Sequence, residues 1–334
     1  MEAKCTMDYS KTNTIVYADY ADGAWSELKN TKDDHMSLNL MNASLHYGIE
    51  AFEGLKAYRG KDGKVRIFRP WDNAKRFRRS CAYLAMAEVP EQMFVDACEK
   101  AVTENIDFLP PYGTMASMYI RPFIICTNPQ IGLVVGREFM FAVATTPMGS
   151  YTGSMMKQTK ALVIRKYDRA APLGSGSYKI GANYASPMRL GMLAGKEGYA
   201  SILYLDAKTK RYIEEFSSSN FFAIRGDSYI TPDSPSVLPS ITNRSLRQIA
   251  ADMGMKVEMR TVPVEELATF DEAAACGTAL VITPVCEIDD RDMGNKYGIG
   301  SPDKVGEKSV ALYHALTGIQ FGEREDPYGW CMIL

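Results

Sequence analysis

Apolar and polar positions repeat along this chain in two rhythms, one of period two and one near 3.6, and these mark out strands and helices. The runs LKAYRG (55–60) and KVRIF (64–68) flank Lys61-Asp62-Gly63, a hairpin signal. Asp72 then reads as a helix N-cap, because Ala74, Phe77, Cys81 and Leu84 follow at spacings of 3, 4 and 3, one helical face. A second helix is predicted around 91–107, with Phe94, Cys98 and Ala101 on one face. Strands over ASMYIRPFIICT and EFMFAVATTP come next, joined by the turn region NPQIGLVVGR. Residues 147–160 are rich in Gly, Ser, Thr and Met and have no clear period, which places a domain boundary there.

The second half has strand patterns at ALVIRKY, SILYLD, NFFAI and YITP, the last two split by Arg225-Gly226-Asp227. A helix is predicted from about 242 to 253, with Leu246, Ile249, Ala250 and Met253 on one face and Gly254 closing it. Strands KVEMRTV and ALVITPV follow, with a helix ELATFDEAAA between them. Strands come in runs with helices between and no regular βαβ alternation. That pattern predicts an α+β fold, with a smaller domain over 1–147, a linker over 148–160 and a larger domain over 161–334.

Composition narrows the function. A chain of 334 residues supports about two domains, each with its own core. Hydrophobic content of 46% and charged content of 23% are those of a soluble globular protein. The 38 basic and 40 acidic residues leave no basic excess for nucleic acid or an anionic membrane. No run has the apolar length of a membrane span, and MEAKCTMDYSKTNTIVY is too polar for a signal peptide. Seven cysteines, an odd count with no CxxC, read as reduced thiols in a cytoplasmic protein. Three widely spaced histidines give no support to a zinc site or a Ser-His-Asp triad. GMLAGKEG is one residue short of a phosphate-binding P-loop and has Glu197 where Ser or Thr must hold magnesium. No GxGxxG opens a helix after a strand.

The candidate chemistry lies between 169 and 222. Lys179 sits in a collar of Gly174, Gly176 and Gly181, which lets backbone approach a ligand closely. Such a lysine is a candidate Schiff-base former if partly desolvated, and otherwise a solvated amine. Glu215, 36 residues on, enters the aromatic segment Asn220-Phe221-Phe222 beside Glu214. A carboxylate there needs a positive partner: a protonated ring nitrogen, or Lys or Arg at an exposed strand end. Adjacent strand residues point to opposite faces, so one of the pair is expected to face a ligand, and the spacing to Asn220 selects Glu215. LPSITNRSL places Ser240 and Thr242 at a helix start, where Thr242 caps the helix, helps bind phosphate, or both. Cys276-Gly277-Thr278-Ala279 reads as a turn between a helix and a strand, with amides and a hydroxyl to offer. An amine, an anionic partner for a ring nitrogen and a phosphate cradle are the three handles of pyridoxal 5′-phosphate.

With those residues in place, the chain resembles the branched-chain amino acid aminotransferases, of the fold-type IV class of pyridoxal-phosphate enzymes. The resembling segments are LHYGIEAFEGLKAYRG (45–60), FRPWDNAKRFRRS (68–80), MYIRP (118–122), KIGANY (179–184), EFSSSNFF (215–222), LPSITNRS (238–245) and GTALVITPV (277–285). They span most of the chain. The resemblance implies a two-domain fold-type IV fold with the cofactor lysine in the C-terminal domain and the cofactor between the domains. It implies that Lys179 holds the cofactor as a Schiff base and shuttles a proton, that Glu215 keeps the ring nitrogen protonated, and that Tyr184 bonds the phenolic oxygen. Arg76, the backbone of Ile241 and Thr242, and the Thr278 hydroxyl are implied to hold the phosphate. Tyr47, Phe52, Tyr119, Ser218 and Ala279 are implied to line the substrate pocket, with Arg121 ordering it. The implied reaction exchanges the amino group of leucine, isoleucine or valine with 2-oxoglutarate, giving glutamate, in a homodimer where Tyr47 and Ile131-Gly132-Leu133 reach the neighbouring pocket. The alternative is a fold-type IV enzyme of other specificity, such as D-amino acid transamination or aminodeoxychorismate lyase chemistry. Two departures stand out. Asn243 replaces the first Arg of the family's frequent TRRS, a change expected at the surface. Leu280 and Thr283 stand where some members carry a redox CxxC, so thiol regulation of that kind is not expected.

Overall fold

The computed structural model describes residues 9–149, 156–279 and 281–334. Two compact units divide the chain: Met1–Gly153 with Tyr178–Gly181 and Gly318–Leu334, and Ser154–Ser177 with Ala182–Thr317.

In the first unit the described residues form nine strands in one sheet, every pairing antiparallel. Ser117–Cys126 and Phe139–Met148 are its long centre, paired over ten residues. The predicted hairpin forms from Leu55–Arg59 and Val65–Phe68, with Gly63 at φ +79° in the turn. Helices Pro70–Tyr83 and Glu91–Glu104 cover the sheet, and Phe77, Phe94 and Phe141 meet at ring separations of 5.3–6.0 Å. Asp72 is not the N-cap of the first of these helices. Arg69 holds that position in a left-handed conformation, and Pro70 fills the first turn, where a missing N–H costs nothing. Asp72 lies inside the turn instead and accepts from Arg69 Nε at 2.7 Å.

Where the sequence predicts one domain over 161–334, Tyr178–Gly181 and Gly318–Leu334 group with the first unit. Hydrogen bonds explain why. Ile180 bridges Ala51, and Cys331–Ile333 pairs with Val65–Phe68. Of the expected linker 148–160, residues 150–155 lie outside the described residues.

The second unit also has nine strands among its described residues. Six of them, Ser201–Leu205, Thr159–Ile164, Val281–Asp290, Glu272–Gly277, Asn220–Arg225 and Ile213–Phe216, pair in that order and close into a ring through Glu215 opposite Asn220. Its apolar core includes Val163, Leu203, Phe216, Phe221, Ile230 and Val285. The helix predicted over ELATFDEAAA is not there. A short 3-10 segment, Val264–Thr269, is followed by the strand Glu272–Gly277. That strand pairs on both sides, with Asn220–Arg225 and Val281–Asp290, and its alanines are buried. Ladder bonds on two flanks and a closed ring outweigh the helix propensity of alanine. Helices Met188–Lys196 and Glu307–Gln320 form where no helix is predicted from the pattern.

Candidate active site

In the first unit, the segment carrying Lys179 runs beside Glu50–Phe52, where Ile180 makes an isolated bridge to Ala51. The Lys179 backbone N–H donates to Ser80 Oγ at 3.0 Å, and its carbonyl accepts from the Phe52 N–H at 3.1 Å. Gly181 next to it leaves room for Glu50, whose Oε1 lies 2.0 Å from where a Cβ would stand and would have to move. The Lys179 ammonium lies 4.7 Å from the centre of the Phe52 ring. The Arg121 guanidinium is 4.8 Å from the same ring and 5.2 Å from that of Tyr119, and its Nη2 donates to the Tyr119 hydroxyl at 3.0 Å. Tyr119 and Arg121 are two apart in Ser117–Cys126 and so share a face. Arg121 Nε is buried with no partner among the described residues. Lys179, Phe52, Tyr119 and Arg121 therefore form one cluster of cations and aromatic faces.

Arg76, expected to reach a phosphate, makes a two-point ion pair with Glu53, Nε to Oε1 at 2.7 Å and Nη2 to Oε2 at 2.8 Å. Tyr47 stands apart and exposed, its hydroxyl donating to the carbonyl of Ile131. Around it the surface is apolar: Ile131 is 65% and Leu133 83% exposed, with Leu40 and Leu45 also exposed.

In the second unit Glu215 is the centre. All four residues of Ile213–Phe216 are buried, so alternation does not send Glu214 to water; Glu214 is 5% and Glu215 3% exposed. Glu214 accepts from Ser234 Oγ at 2.8 Å. Glu215 is held from three sides: Oε1 accepts from the Leu238 N–H at 3.0 Å and forms an ion pair with Arg169 Nη2 at 2.7 Å, and Oε2 accepts from Asn220 Nδ2 at 2.8 Å. Burial pushes its carboxyl up to about 7, against the lowering effect of Arg169, Leu238 and Asn220. Arg169 is buried too and also donates to the carbonyls of Gly176 and Ser236. Gly176 must be glycine, since a Cβ would meet the Ser236 carbonyl at 2.2 Å.

Ser240, not Thr242, caps Ile241–Asp252, its side chain accepting from the Asn243 N–H at 3.1 Å. That leaves the N–H groups of Ile241 and Thr242 at the free end of a twelve-residue helix. Thr278 and Ala279 are half-buried in a turn between two strands, not between a helix and a strand, because Gly277 pairs with Val281. Leu280 lies outside the described residues, and Thr283 is buried. Tyr184 is half-buried in the short helix Ala182–Ala185, and Ser218 is exposed in the turn before Asn220.

Asn243 does not lie at the surface. It is 6% exposed: its Oδ1 accepts from the Tyr229 hydroxyl, and its Nδ2 donates to Asn220 Oδ1 and Thr231 Oγ1. A side chain at the third position of a helix faces inward when the neighbouring strand stands against that turn. Glu53, Arg169 and the inward contacts of Asn243 were not read from the sequence, though each touches a residue expected at the site or its partner. The available signal was electrostatic: buried Glu215 needs a cation, but nothing local selects Arg169 from 38 basic residues.

Residues 50–288 match the family model for amino-transferase class IV. A branched-chain-amino-acid aminotransferase of Haemophilus influenzae is 43% identical, over 96% of this chain and 95% of that protein. The crystal structure of the Escherichia coli branched-chain amino acid aminotransferase has a TM-score of 0.79 at 28% identity, covering 96% of this chain and 99% of that one. A second crystal structure, of the branched-chain amino acid aminotransferase of T.th., complexed with N-(5′-phosphopyridoxyl)-L-glutamate, has a TM-score of 0.78 at 25% identity, covering 97% and 99%. On this agreement of sequence and fold, the chain belongs to the class IV aminotransferases.

Proposed function

We propose that the chain interconverts L-leucine, L-isoleucine and L-valine with their 2-oxo acids, with 2-oxoglutarate and L-glutamate as the other pair, using pyridoxal 5′-phosphate. The observation that carries this reading is the nearly full-length likeness to proteins of that activity. The donor set agrees with the cofactor. The free N–H groups of Ile241 and Thr242 suit a phosphate dianion. Glu215, fixed by two N–H donors and the Arg169 charge, suits a protonated ring nitrogen. Thr278 and Arg76 are proposed as further phosphate donors, and Tyr184 as donor to the phenolic oxygen. Bound there, the cofactor supplies an electron sink that makes the substrate Cα proton labile.

Lys179 is the proposed base. Its anchored backbone holds the amine in place while the side chain moves a proton to and from Cα. Phe52, Tyr119, Ala279 and Tyr47 present uncharged surface, so a branched aliphatic side chain gains about 0.8 kcal/mol per buried CH₂. Ser218 is proposed as a further substrate-binding hydroxyl. The glutamate side chain needs donors, and Arg121 with the Tyr119 hydroxyl supplies them.

Two finer points belong to the same proposal. The exposed apolar residues around Tyr47, Ile131 and Leu133 are the surface of a homodimer. Among the described residues six cysteines are free and no helix is long and apolar enough to cross a membrane, which agrees with a cytoplasmic location. An absorbance spectrum of the purified protein, followed by half-reaction rates with a panel of L- and D-amino acids, tests the reading. Fast reaction of D-alanine and none of L-leucine would overturn it.

A further inference from the structure

We infer that Asn243 is a positioning residue for the Glu215 carboxylate: it fixes the amide of Asn220 so that the amide N–H, and not the carbonyl, faces Glu215. The inference rests on the proposed pairing of Glu215 with a ring nitrogen only for its catalytic meaning; the hydrogen-bond polarity stands by itself. Five buried side chains, Thr231, Asn243, Tyr229, Asn220 and Glu215, form an ordered series. Thr231 Oγ1 donates to the Phe221 carbonyl at 2.8 Å, so toward Asn243 it can only accept. Asn243 Nδ2 is therefore on that side, at 2.8 Å, and Oδ1 is left for the Tyr229 hydroxyl at 3.0 Å. The second Nδ2 hydrogen goes to Asn220 Oδ1 at 3.1 Å. Asn220 must then turn its own Nδ2 outward, where it donates to Glu215 Oε2 at 2.8 Å and to the Leu238 carbonyl at 3.1 Å. Two backbone carbonyls, Phe221 and Leu238, fix the polarity at the ends, and both amides fit it.

The physical need is clear. An amide that presents its oxygen to a buried carboxylate would repel it, and Glu215 is packed where water cannot intervene. Asn243 sits at the third residue of the helix whose first two N–H groups are free. One residue thus links the helix start to the carboxylate, and it stands where the family often has Arg.

The test is a titration of the Glu215 carboxyl by infrared difference spectroscopy on the full chain without cofactor, with Glu215→Gln assigning the band. The charged and titratable groups around Glu215 are Arg169, Glu214 and the Cys276 thiol, and none is altered. Asn243→Leu removes the donor without adding charge, and is expected to raise the midpoint by roughly one pH unit, the size of one lost hydrogen bond to a carboxylate. In an Asn220→Ala background the same substitution is expected to do nothing further. A second reading comes from the holoenzyme loaded with cofactor labelled with nitrogen-15 in the ring, whose resonance is expected to move toward the neutral pyridine in Asn243→Leu. Asn243→Ser, which keeps a hydroxyl for Thr231 and Tyr229, serves if the leucine variant does not fold, with the same expected shift. An unchanged midpoint, or an equal shift with and without Asn220, would overturn the inference. A chain that takes up no cofactor would overturn the proposed function and leave the infrared result to decide this one.

Discussion

Arg76 grips Glu53 at both carboxylate oxygens, at 2.7 and 2.8 Å, and the carboxylate is fully buried. A buried pair of this kind leaves an uncompensated charge when one partner is removed, at a cost of about 3–5 kcal/mol. Glu53→Gln is therefore expected to lose that much in urea unfolding. The pairing also fixes the direction of the guanidinium proposed to meet the phosphate, so the variant is expected to bind pyridoxal 5′-phosphate more weakly. Lost stability with unchanged affinity would assign the pair to the fold alone.

Lys179 anchors its backbone on Ser80 and Phe52 and offers its amine to the proposed chemistry, and the two can be separated. Lys179→Ala keeps both backbone bonds, to Ser80 and Phe52. It is expected to fold with an unfolding midpoint within a few degrees of the parent, yet to lose the visible absorbance and nearly all transamination. Borohydride reduction of the parent followed by peptide mapping checks the assignment, and a label on another lysine would refute it.

Glu215 makes stability depend on pH. Its folded carboxyl sits at about 7, above the usual 4.5, because burial favours the neutral form. The native state then keeps a proton that the unfolded chain releases. The stabilisation is complete below about pH 4.5 and is lost as pH rises to about 7, at most on the order of 3 kcal/mol. Glu215→Gln stays neutral at every pH, so it is expected to lose this part of the slope and to gain in stability relative to the parent between pH 5 and 7.5. Unfolding free energies at pH 5 and 7.5 in the cofactor-free protein measure it. Equal slopes in parent and variant would show that Arg169 keeps Glu215 ionised throughout.

How much of this was legible in the sequence follows a physical line. Most local signals worked, with the N-cap at Asp72 an exception: the Asp62-Gly63 hairpin, the Phe77 and Phe94 helices, and the helix start at Ser240 all depend on near neighbours. Signals that depend on distant partners did not. Glu272–Gly277 became a strand because two others flank it, and Lys179 joined the first unit through Ser80 and Phe52. In the site, the resemblance named the residues with recognisable chemistry, and the fold supplied Glu53, Arg169 and Asn243, whose roles lie wholly in what they touch.

The apolar surface around Tyr47 predicts subunit complementation. If Tyr47 and Ile131-Gly132-Leu133 serve the neighbouring pocket, a Lys179→Ala chain and a Tyr47→Ala chain damage different sites. Their heterodimer keeps one intact site of two, so a random equal mixture, about half of it heterodimer, is expected to regain up to about a quarter of parent activity. Activity after mixing, with subunit exchange shown by mass, is the measurement. No recovery despite exchange would confine Tyr47 to its own subunit.

The last prediction concerns how one pocket takes both leucine and glutamate. Tyr119 and Arg121 share a face, and Arg121 Nη2 donates to the Tyr119 hydroxyl at 3.0 Å while its Nε has no partner among the described residues. A leucine side chain asks for no donor, and the Phe52 and Tyr119 rings offer it apolar surface. A glutamate γ-carboxylate needs compensation on entering, or desolvation costs several kcal/mol. The polarised Tyr119 hydroxyl is the donor it can meet, with the Arg121 charge behind it. Tyr119→Phe removes one hydrogen bond to a charged group, about 1.5–3 kcal/mol, while keeping the ring. The kcat/KM for glutamate and 2-oxoglutarate is then expected to fall about 10- to 100-fold, and that for leucine less than about threefold. Half-reaction kinetics with each substrate separate the two. A proportionate fall for both would mean that the hydroxyl orders Arg121 for every substrate, and that the glutamate carboxylate finds its donors elsewhere.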